Sequence, residues 1–278
     1  MSEISPCVSV VTPVYNGEHF ISDNVRAILG ALEELGRSFE LIVVCDGSVD
    51  GTAACAEAVG DPRVRVLRYP VNQGKGHALL HGSAVAHGRL VAWLDSDLDI
   101  DPRFVVAAVT AFDHDPVDAV IGSKRHPASQ VDYPWIRRFY SWGFQLLVRL
   151  LFRVKARDTQ VGAKVFRREL IETVGPLLLV KRYAFDLEVL AVAAEFGFDR
   201  VQEAPIALSY RFSGSGINRD AVWRMFVDTL AIAYRIHIRH WYVRRFASLQ
   251  RDRMDRRAQS DGAHTTAAEA DHEQALLS

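Results

Sequence analysis

Apolar residues in the first half of the chain come in short β-branched runs, separated by longer stretches with helical spacing. Val8 to Val14 is one such run, and Glu40 to Val44 is a second, closed by Asp46-Gly47. Neither alternates with polar residues, so both read as strands buried on two faces of a parallel sheet. Between them Ser22 to Leu35 carries helical spacing. Val64 to Tyr69 and Leu90 to Leu94 read as further strands with a helix from Ala78 to Ala86 between them, and Ala119 to Gly122 as a strand after a helix from Asp101 to Phe112. This alternation predicts an α/β fold: a doubly wound, mostly parallel sheet with helices on both faces. Such sheets bind ligands beyond the carboxyl ends of their strands. Here those ends carry Tyr15-Asn16, Asp46-Gly47-Ser48 and Asp95-Ser96-Asp97.

From about Asp132 the pattern changes. Trp135, Phe139, Trp142, Leu146 and Leu150 form one stripe of a helix from Trp135 to Lys155, flanked by Arg138, Arg149 and Arg153. Long Arg stems beside an apolar stripe suit a helix lying in a membrane interface, and equally a helix docked on the sheet with its Arg residues in water. A second helix, about Asp220 to Arg245, mixes Trp223, Phe226, Leu230, Ile238, Trp241 and Tyr242 with Arg224, Arg235, Arg239, Arg244 and Arg245. Its Asp228 and Arg235 disfavour spanning, whereas aromatic residues beside Arg fit the headgroup level of an anionic leaflet or an integral membrane partner. Beyond Arg251 the sequence has no periodicity. The expected organisation is one α/β domain over residues 1–218, including a candidate interfacial helix over 132–155, then a basic-aromatic helix over 219–250 and a disordered tail over 251–278.

Composition narrows the partners. The 278 residues suffice for a full core, and 49% apolar with 24% charged residues is ordinary for a globular chain. A net charge of −1 excludes bulk nucleic-acid binding, so any anion site is local. Cys7, Cys45 and Cys55 lack metal-ligand spacing and fit reduced thiols. The N-terminus shows no export signal, and the longest charge-free stretch, Phe139 to Val148, falls far short of the roughly 18 to 20 residues that cross a bilayer. A lipid substrate would therefore be met from the side, and the expected location is the cytoplasmic face of a membrane, as a peripheral protein.

The strongest chemical signal is Asp95-Ser96-Asp97-Leu98-Asp99, directly after the apolar run Leu90 to Leu94. Carboxylates alternating at a strand end repel one another. A hard divalent cation removes that penalty by binding through oxygen, which makes Asp95, Asp97 and Asp99 candidate ligands of Mg²⁺ or Mn²⁺; the bland reading is a solvated acidic turn. Asn72-Gln-Gly-Lys-Gly-His-Ala lacks the spacing of a phosphate loop, so Lys75 is either a donor contact or an exposed loop lysine.

Val8 to Asn16 (Val-Ser-Val-Val-Thr-Pro-Val-Tyr-Asn), the Val-Val-Cys-Asp-Gly-Ser-Val-Asp-Gly-Thr segment ending at Thr52, and the acidic cluster together resemble glycosyltransferase family 2 over about residues 8–215. The resemblance implies the GT-A fold and a nucleotide-sugar donor, with Thr12, Pro13, Tyr15 and Asp46 holding base and ribose. Within that family the chain looks most like the polyprenyl-phosphate hexose synthases, the group of dolichyl-phosphate mannose synthase and dolichyl-phosphate β-glucosyltransferase. The residues that carry this are Asp95-Ser-Asp-Leu-Asp99, Gly122-Ser-Lys, Trp135-Ile-Arg-Arg with Ser141, Asp158-Thr-Gln with Gly162 and Lys164, and Glu203-Ala-Pro-Ile206 leading to Arg211. Asp158-Thr-Gln and Phe185-Asp-Leu-Glu188 look more like the glucosyl branch. The resemblance further implies that Lys124, Arg138 and Arg211 face the lipid phosphate and that Lys164 belongs to the substrate site. Two departures stand out: Cys45 replaces a family carboxylate, and Arg211-Phe-Ser-Gly-Ser-Gly-Ile217 lacks the family's final basic residue.

A polyprenyl-phosphate acceptor is already an anion and needs no base. The implied catalysis is charge neutralisation, with Asp97 holding the cation and Arg138 and Arg211 drawing in the acceptor. A hydroxyl acceptor would instead require a carboxylate base, for which Asp186 is the candidate. A non-catalytic nucleotide-sugar-binding module is the third reading.

Overall fold

A computed structural model describes residues 5–129, 143, 145–152, 154, 156, 158–180, 184–207, 219–252 and 254. Seven strands form one sheet: β1 (Val8–Val14), β2 (Phe39–Asp46), β3 (Val64–Tyr69), β4 (Leu90–Leu94), β5 (Ala119–Ser123), β6 (Ala163–Arg167) and β7 (Val201–Pro205). Their order is β3-β2-β1-β4-β6-β5-β7, parallel except for β6, which runs antiparallel to both its neighbours. The helices are α1 (Ile21–Glu33), α2 (Thr52–Glu57), α3 (Lys75–Ser83), α4 (Arg103–His114), α5 over residues 145–151, α6 (Arg168–Val174), α7 (Phe185–Glu195) and α8 (Arg219–Ala233).

The expected α/β architecture is therefore present, and its cause is visible in β1. Val8, Val10 and Val14 join a core with Val25, Ile28 and Leu32 of α1 and Phe104, Val105 and Ala108 of α4. On the opposite face α3 comes so close that a Cβ on Gly82 would lie 2.4 Å from Val11 and 2.9 Å from Val44. A strand covered on both sides has no solvent face and so shows no alternation. Because β2 and β4 flank β1 on opposite sides, the strand order reverses there and opens a crevice at the carboxyl ends of the three strands.

Several boundaries differ from the sequence expectation. The helix expected over Ala78 to Ala86 occupies Lys75–Ser83, because the chain enters it straight from Gly74 at φ 96°. The expected single helix from Asp220 to Arg245 is broken. After α8 comes a π-helical turn, Tyr234–Ile238, in which the Arg239 amide donates to the Tyr234 carbonyl at 3.0 Å. His240 is then left-handed at φ 47°, and a new helix runs over 241–252. The chain divides into two compact units, Met1–Ala233 and Tyr234–Ser278. Of the apolar stripe expected over Trp135 to Leu150, Trp135, Phe139 and Trp142 lie outside the described residues, as does the expected tail beyond 254. Leu146 and Leu150 are exposed on α5, while Val148 between them is buried. No helix among the described residues is long and apolar enough to cross a membrane.

Candidate active site

The crevice holds an open cavity of about 600 Å³ lined by Pro13, Val14, Tyr15, Asp46, Asn72, Gly74, Lys75, Asp95, Ser96, Asp97, Gln160 and Asp186. One wall is built by two loops that lock each other. After β1 the chain turns at Asn16, φ 50°, and the next amides are met by side chains from the loop after β2. Asn16 N–H donates to Ser48 Oγ at 3.1 Å, Gly17 N–H to Thr52 Oγ1 at 2.7 Å and Glu18 N–H to Asp50 Oδ2 at 3.3 Å. In return Val49 N–H donates to Asn16 Oδ1 at 3.0 Å and Gly51 N–H to Glu18 Oε2 at 2.7 Å. The polar residues of the Gly-Ser-Val-Asp-Gly-Thr segment thus hold Tyr15 at the cavity mouth.

Asp46, at the end of β2, is buried. Its Oδ1 accepts from Tyr69 Oη at 2.9 Å and from Gln73 N–H at 2.7 Å, its Oδ2 accepts from Gly74 N–H at 2.9 Å, and Asn72 Nδ2 donates to its carbonyl at 3.1 Å. Most of this carboxylate is spent on pinning the Asn72–Gly74 loop, which launches α3 and Lys75. The same approach requires Gly47: its φ is 68°, and a Cβ there would lie 2.2 Å from the Asn72 amide nitrogen. Cys45 faces away from the cavity into the core, where burial and then the Glu57 and Asp50 charges push its thiol up to about 11. The missing family carboxylate therefore does not alter the cavity wall.

The acidic cluster leaves β4 and turns at Leu98, φ 55°. Asn24 of α1 steadies it by donating from Nδ2 to the Ser96 carbonyl at 2.7 Å. Asp95 Oδ1 lies 2.6 Å from Lys75 Nζ, so Lys75 is a cavity residue and not a loose loop lysine. Loss of water raises the Asp95 carboxyl above its usual range, helped by Asp97 and Asp186 and opposed by Lys75. For Lys75 the same loss of water works downward, yet Asp95, Asp186 and Asp97 outweigh it and the ammonium is raised. Just before the neighbouring strand β6, Gly162 admits the Asp95 side chain, since a Cβ on Gly162 would fall 1.8 Å from Asp95 Oδ2.

The remaining wall comes from β6 and α7. Lys164 is 1% exposed and donates to Asp186 Oδ1 at 2.6 Å and to the Val161 carbonyl. Asp186 sits in the first turn of α7 and lines the cavity. Two residues on, Glu188 points into the protein and accepts from the Leu179 and Val180 amides at 3.0 and 2.8 Å.

The structure thus brings together Pro13, Tyr15, Asp46, Lys75, Asp95, Asp97 and Asp186. It does not bring in Thr12, whose hydroxyl is buried within β1 without a hydrogen-bond partner among the described residues. Asp99 is exposed and does not line the cavity; its amide donates to Asp97 Oδ1 at 3.2 Å. Lys164 lies beneath the wall and not on it, and Lys124 N–H donates to Asp158 Oδ2 at 3.2 Å beyond the cavity. Arg138 and Arg211 lie outside the described residues. Sequence reasoning missed roles for Gly162, Gln160, Asn72 and Asn24. Only the first three sit in motifs that it had noticed.

The donor set fits a divalent cation in one particular way. Among the described residues no group of three or more His, Cys, Asp or Glu side chains converges as a metal cage. Asp95 and Asp97, mutually repelling in a cleft, match the habit of Mg²⁺ and related ions of taking one or two carboxylates and filling the other positions with water and substrate phosphates.

Comparison with known proteins agrees with this architecture. The family described as glycosyl transferase family 2 matches residues 9–175. Dolichyl-phosphate beta-glucosyltransferase of Drosophila melanogaster is 30% identical over 262 residues, 88% of this chain and 78% of that protein. Glycosyltransferase AglD of Haloferax volcanii is 34% identical over 203 residues; these are 72% of this chain but 32% of that protein, so the chain spans about a third of this relative. Among solved structures, glucosyl-3-phosphoglycerate synthase from Mycobacterium tuberculosis, in complex with Mn²⁺, UDP-glucose and phosphoglyceric acid, matches with a TM-score of 0.63 at 21% identity, covering 82% of this chain and 80% of that one. That likeness bears on the fold alone. With more than half of its length matched to the family and a sheet that turns an acidic strand end toward a polar crevice, the chain belongs to glycosyl transferase family 2 and is a glycosyltransferase.

Proposed function

We propose that the protein transfers a hexose, glucose or mannose, with inversion, from a UDP- or GDP-sugar to a polyprenyl phosphate, working as a peripheral protein on the cytoplasmic face of a membrane. The observation that carries the acceptor class is the 30% identity, across 88% of the chain, to a relative named as a dolichyl-phosphate glucosyltransferase.

The cavity supports the donor side of this reading. Pro13, Tyr15, Asp46 and Asn72 form the part suited to a nucleoside, and Lys75 with the Asp95–Asp97 pair forms the part suited to a diphosphate. A bound Mg²⁺ or Mn²⁺ would be held by Asp95 and Asp97 and would supply charge stabilisation for the departing diphosphate. Lys75 adds a positive charge beside it. An oxygen of the acceptor phosphate attacks the anomeric carbon as the bond to the diphosphate breaks, and the electron pair leaves with the nucleoside diphosphate. No proton must be removed from the nucleophile. Lys124, Arg138 and Arg211 are assigned to the acceptor phosphate on the family resemblance.

The membrane reading draws support from α8. Trp223, Phe226, Val227 and Leu230 recur at intervals of three and four residues and all are exposed, Trp223 to 65%, with Arg224 beside them. An apolar stripe next to a cation is the pattern of a helix that lies in the headgroup region. An integral membrane partner is the other occupant of such a stripe.

A second reading is favoured by one observation. Asp186 lines the cavity and would serve as the base for a hydroxyl acceptor. One experiment separates the two: incubate the protein and Mn²⁺ with membranes and each labelled nucleotide sugar, then with soluble hydroxyl acceptors. Label in the lipid extract supports a phosphate acceptor. Label only in the soluble product overturns it in favour of Asp186 as base.

A further inference from the structure

Among the described residues the cavity carries four aspartates, Asp46, Asp95, Asp97 and Asp186, and Lys75 is the sole cation that lines it. Asp186 differs from the others in having a buried cation of its own. Lys164 stands on β6, a central strand paired with β4 and β5, opposite Trp93 in the β4 register. Its ammonium is held by the Val161 carbonyl and by Asp186 Oδ1 at 2.6 Å. Trp93, its neighbour across the strand pair, is stacked on Phe185 at 5.3 Å and edge-on to Phe166 at 4.7 Å, and the Lys164 side chain is buried. The first turn of α7 adds helix amide dipoles that favour a carboxylate at position 186. Asp186 Oδ2 has no hydrogen-bond partner among the described residues, and the side chain lines the cavity. A carboxylate fixed in this manner accepts hydrogen bonds and donates none.

We propose that the Lys164–Asp186 pair recognises the hexose: Asp186 accepts a hydrogen bond from a sugar hydroxyl, Lys164 is the positioning residue that fixes it, and together they select a neutral hexose over a uronic acid. This rests on the reading of the cavity as a nucleotide-sugar site. A hydroxyl supplies the donor that Oδ2 lacks. A uronate carboxylate would instead add a fifth negative charge beside an aspartate whose cation is already engaged, and like charges in a cleft repel strongly.

The test is calorimetric binding with Mn²⁺ of UDP, UDP-glucose, UDP-galacturonic acid, GDP and GDP-mannose to the wild type, Asp186→Asn, Lys164→Met and the double variant. The wild type is expected to bind the neutral hexose donor about tenfold to a hundredfold more tightly than the uronate, the range of a hydrogen bond to a charged group. Asp186→Asn brings the two within a few-fold, and Lys164→Met narrows the gap while the bare nucleoside diphosphate binds as before. The double variant removes both charges together, so it melts near the wild type yet still lacks the preference, which separates positioning from folding and decides the matter if Lys164→Met alone fails to fold. Equal wild-type affinity for hexose and uronate, or an unchanged preference in Asp186→Asn or in a folded Lys164→Met or double variant, overturns the proposal. Lipid transfer plays no part in these ratios: a missing lipid product overturns the proposed acceptor alone, whereas failure of both UDP and GDP to bind overturns both proposals.

Discussion

Gly162→Ala places one methyl group against the carboxylate that meets Lys75, and the structure fixes how far that carboxylate must move. The added Cβ would lie 1.8 Å from Asp95 Oδ2 and 2.5 Å from its Cγ. An ordinary carbon–oxygen contact is about 3.3 Å, so Oδ2 must withdraw by about 1.5 Å. The obstacle is the far end of a side chain and not backbone, and Gly162 is not in the left-handed region, so alanine is tolerated by the main chain. Stability should change by no more than about 1 kcal/mol, in either direction. Activity should not be spared. Asp95 loses its 2.6 Å contact with Lys75 and its aim at the diphosphate end, and a misplacement of about 1 Å in a catalytic arrangement costs about 100-fold in rate. The assay is initial rate of lipid-extractable label at saturating Mn²⁺, beside a thermal melt of the same preparation. Turnover within about threefold of wild type would refute the idea that Gly162 sets the position of Asp95. A fall of many degrees in melting temperature that accounts for the lost activity would refute it too, by showing that the methyl group disturbs the fold.

Asp46→Ala should destabilise the protein by about 2 to 4 kcal/mol in urea titration, because it strands the Gln73 and Gly74 amides and the Tyr69 hydroxyl together; an unchanged midpoint would contradict its role as the pin of that loop. Burial raises the Cys45 thiol to about 11 from 9.0, so the unfolded chain ionises first as pH rises; the stability difference between wild type and Cys45→Val, from urea titration, should be constant below about pH 9, shift by about 2 to 3 kcal/mol against the wild type toward pH 11 and then level off. Trp223→Ser with Leu230→Ser should lower association with anionic vesicles at least tenfold at an unchanged melting temperature, since both side chains are exposed and each contributes up to roughly 1.5 to 3 kcal/mol when buried in a membrane. Unaltered vesicle binding by that double variant would remove α8 from the membrane contact.

Strands β1 to β5 and the helices α1, α3 and α4 were legible because a doubly wound sheet imposes long apolar runs, and runs of that kind are local; α2, a six-residue helix rich in alanine, was not read from the sequence. The second half was not. β6 is five residues long and reverses direction between two parallel neighbours, a pairing decided by contacts with β4 and β5 that no local pattern records. The single helix expected after Asp220 was misread because its apolar and basic residues continue evenly through the break at His240, a residue without the usual sign of a left-handed turn. In the site, carboxylates at strand ends were easy to pick out, but what each one touches was not. Asp46 resembled a ligand contact and is largely a structural acceptor; Lys164 resembled a ligand contact and lies under the wall. Gly162 carried no signal of its own, because its purpose is the empty space beside Asp95.

The four aspartates of the cavity are held in four different ways, and this ranks what each one does. Asp46 has three donors, two of them the main-chain amides of Gln73 and Gly74 that lead into α3. Asp186 is tied to an ammonium buried in the core, which sets its direction. Asp97 is exposed and, among the described residues, accepts only the Asp99 amide. Asp95 alone is paired with an exposed lysine on a flexible stem, a partner that can be exchanged at little cost when phosphate groups or a cation arrive. Charge can therefore be redistributed at Asp95 and Asp97, between two carboxylates that cannot be rearranged. Loss of Asp46 should be felt in folding, loss of Asp186 in the choice of sugar and loss of Asp95 in turnover; a cavity in which all three substitutions lowered the same quantity would not be organised in this way.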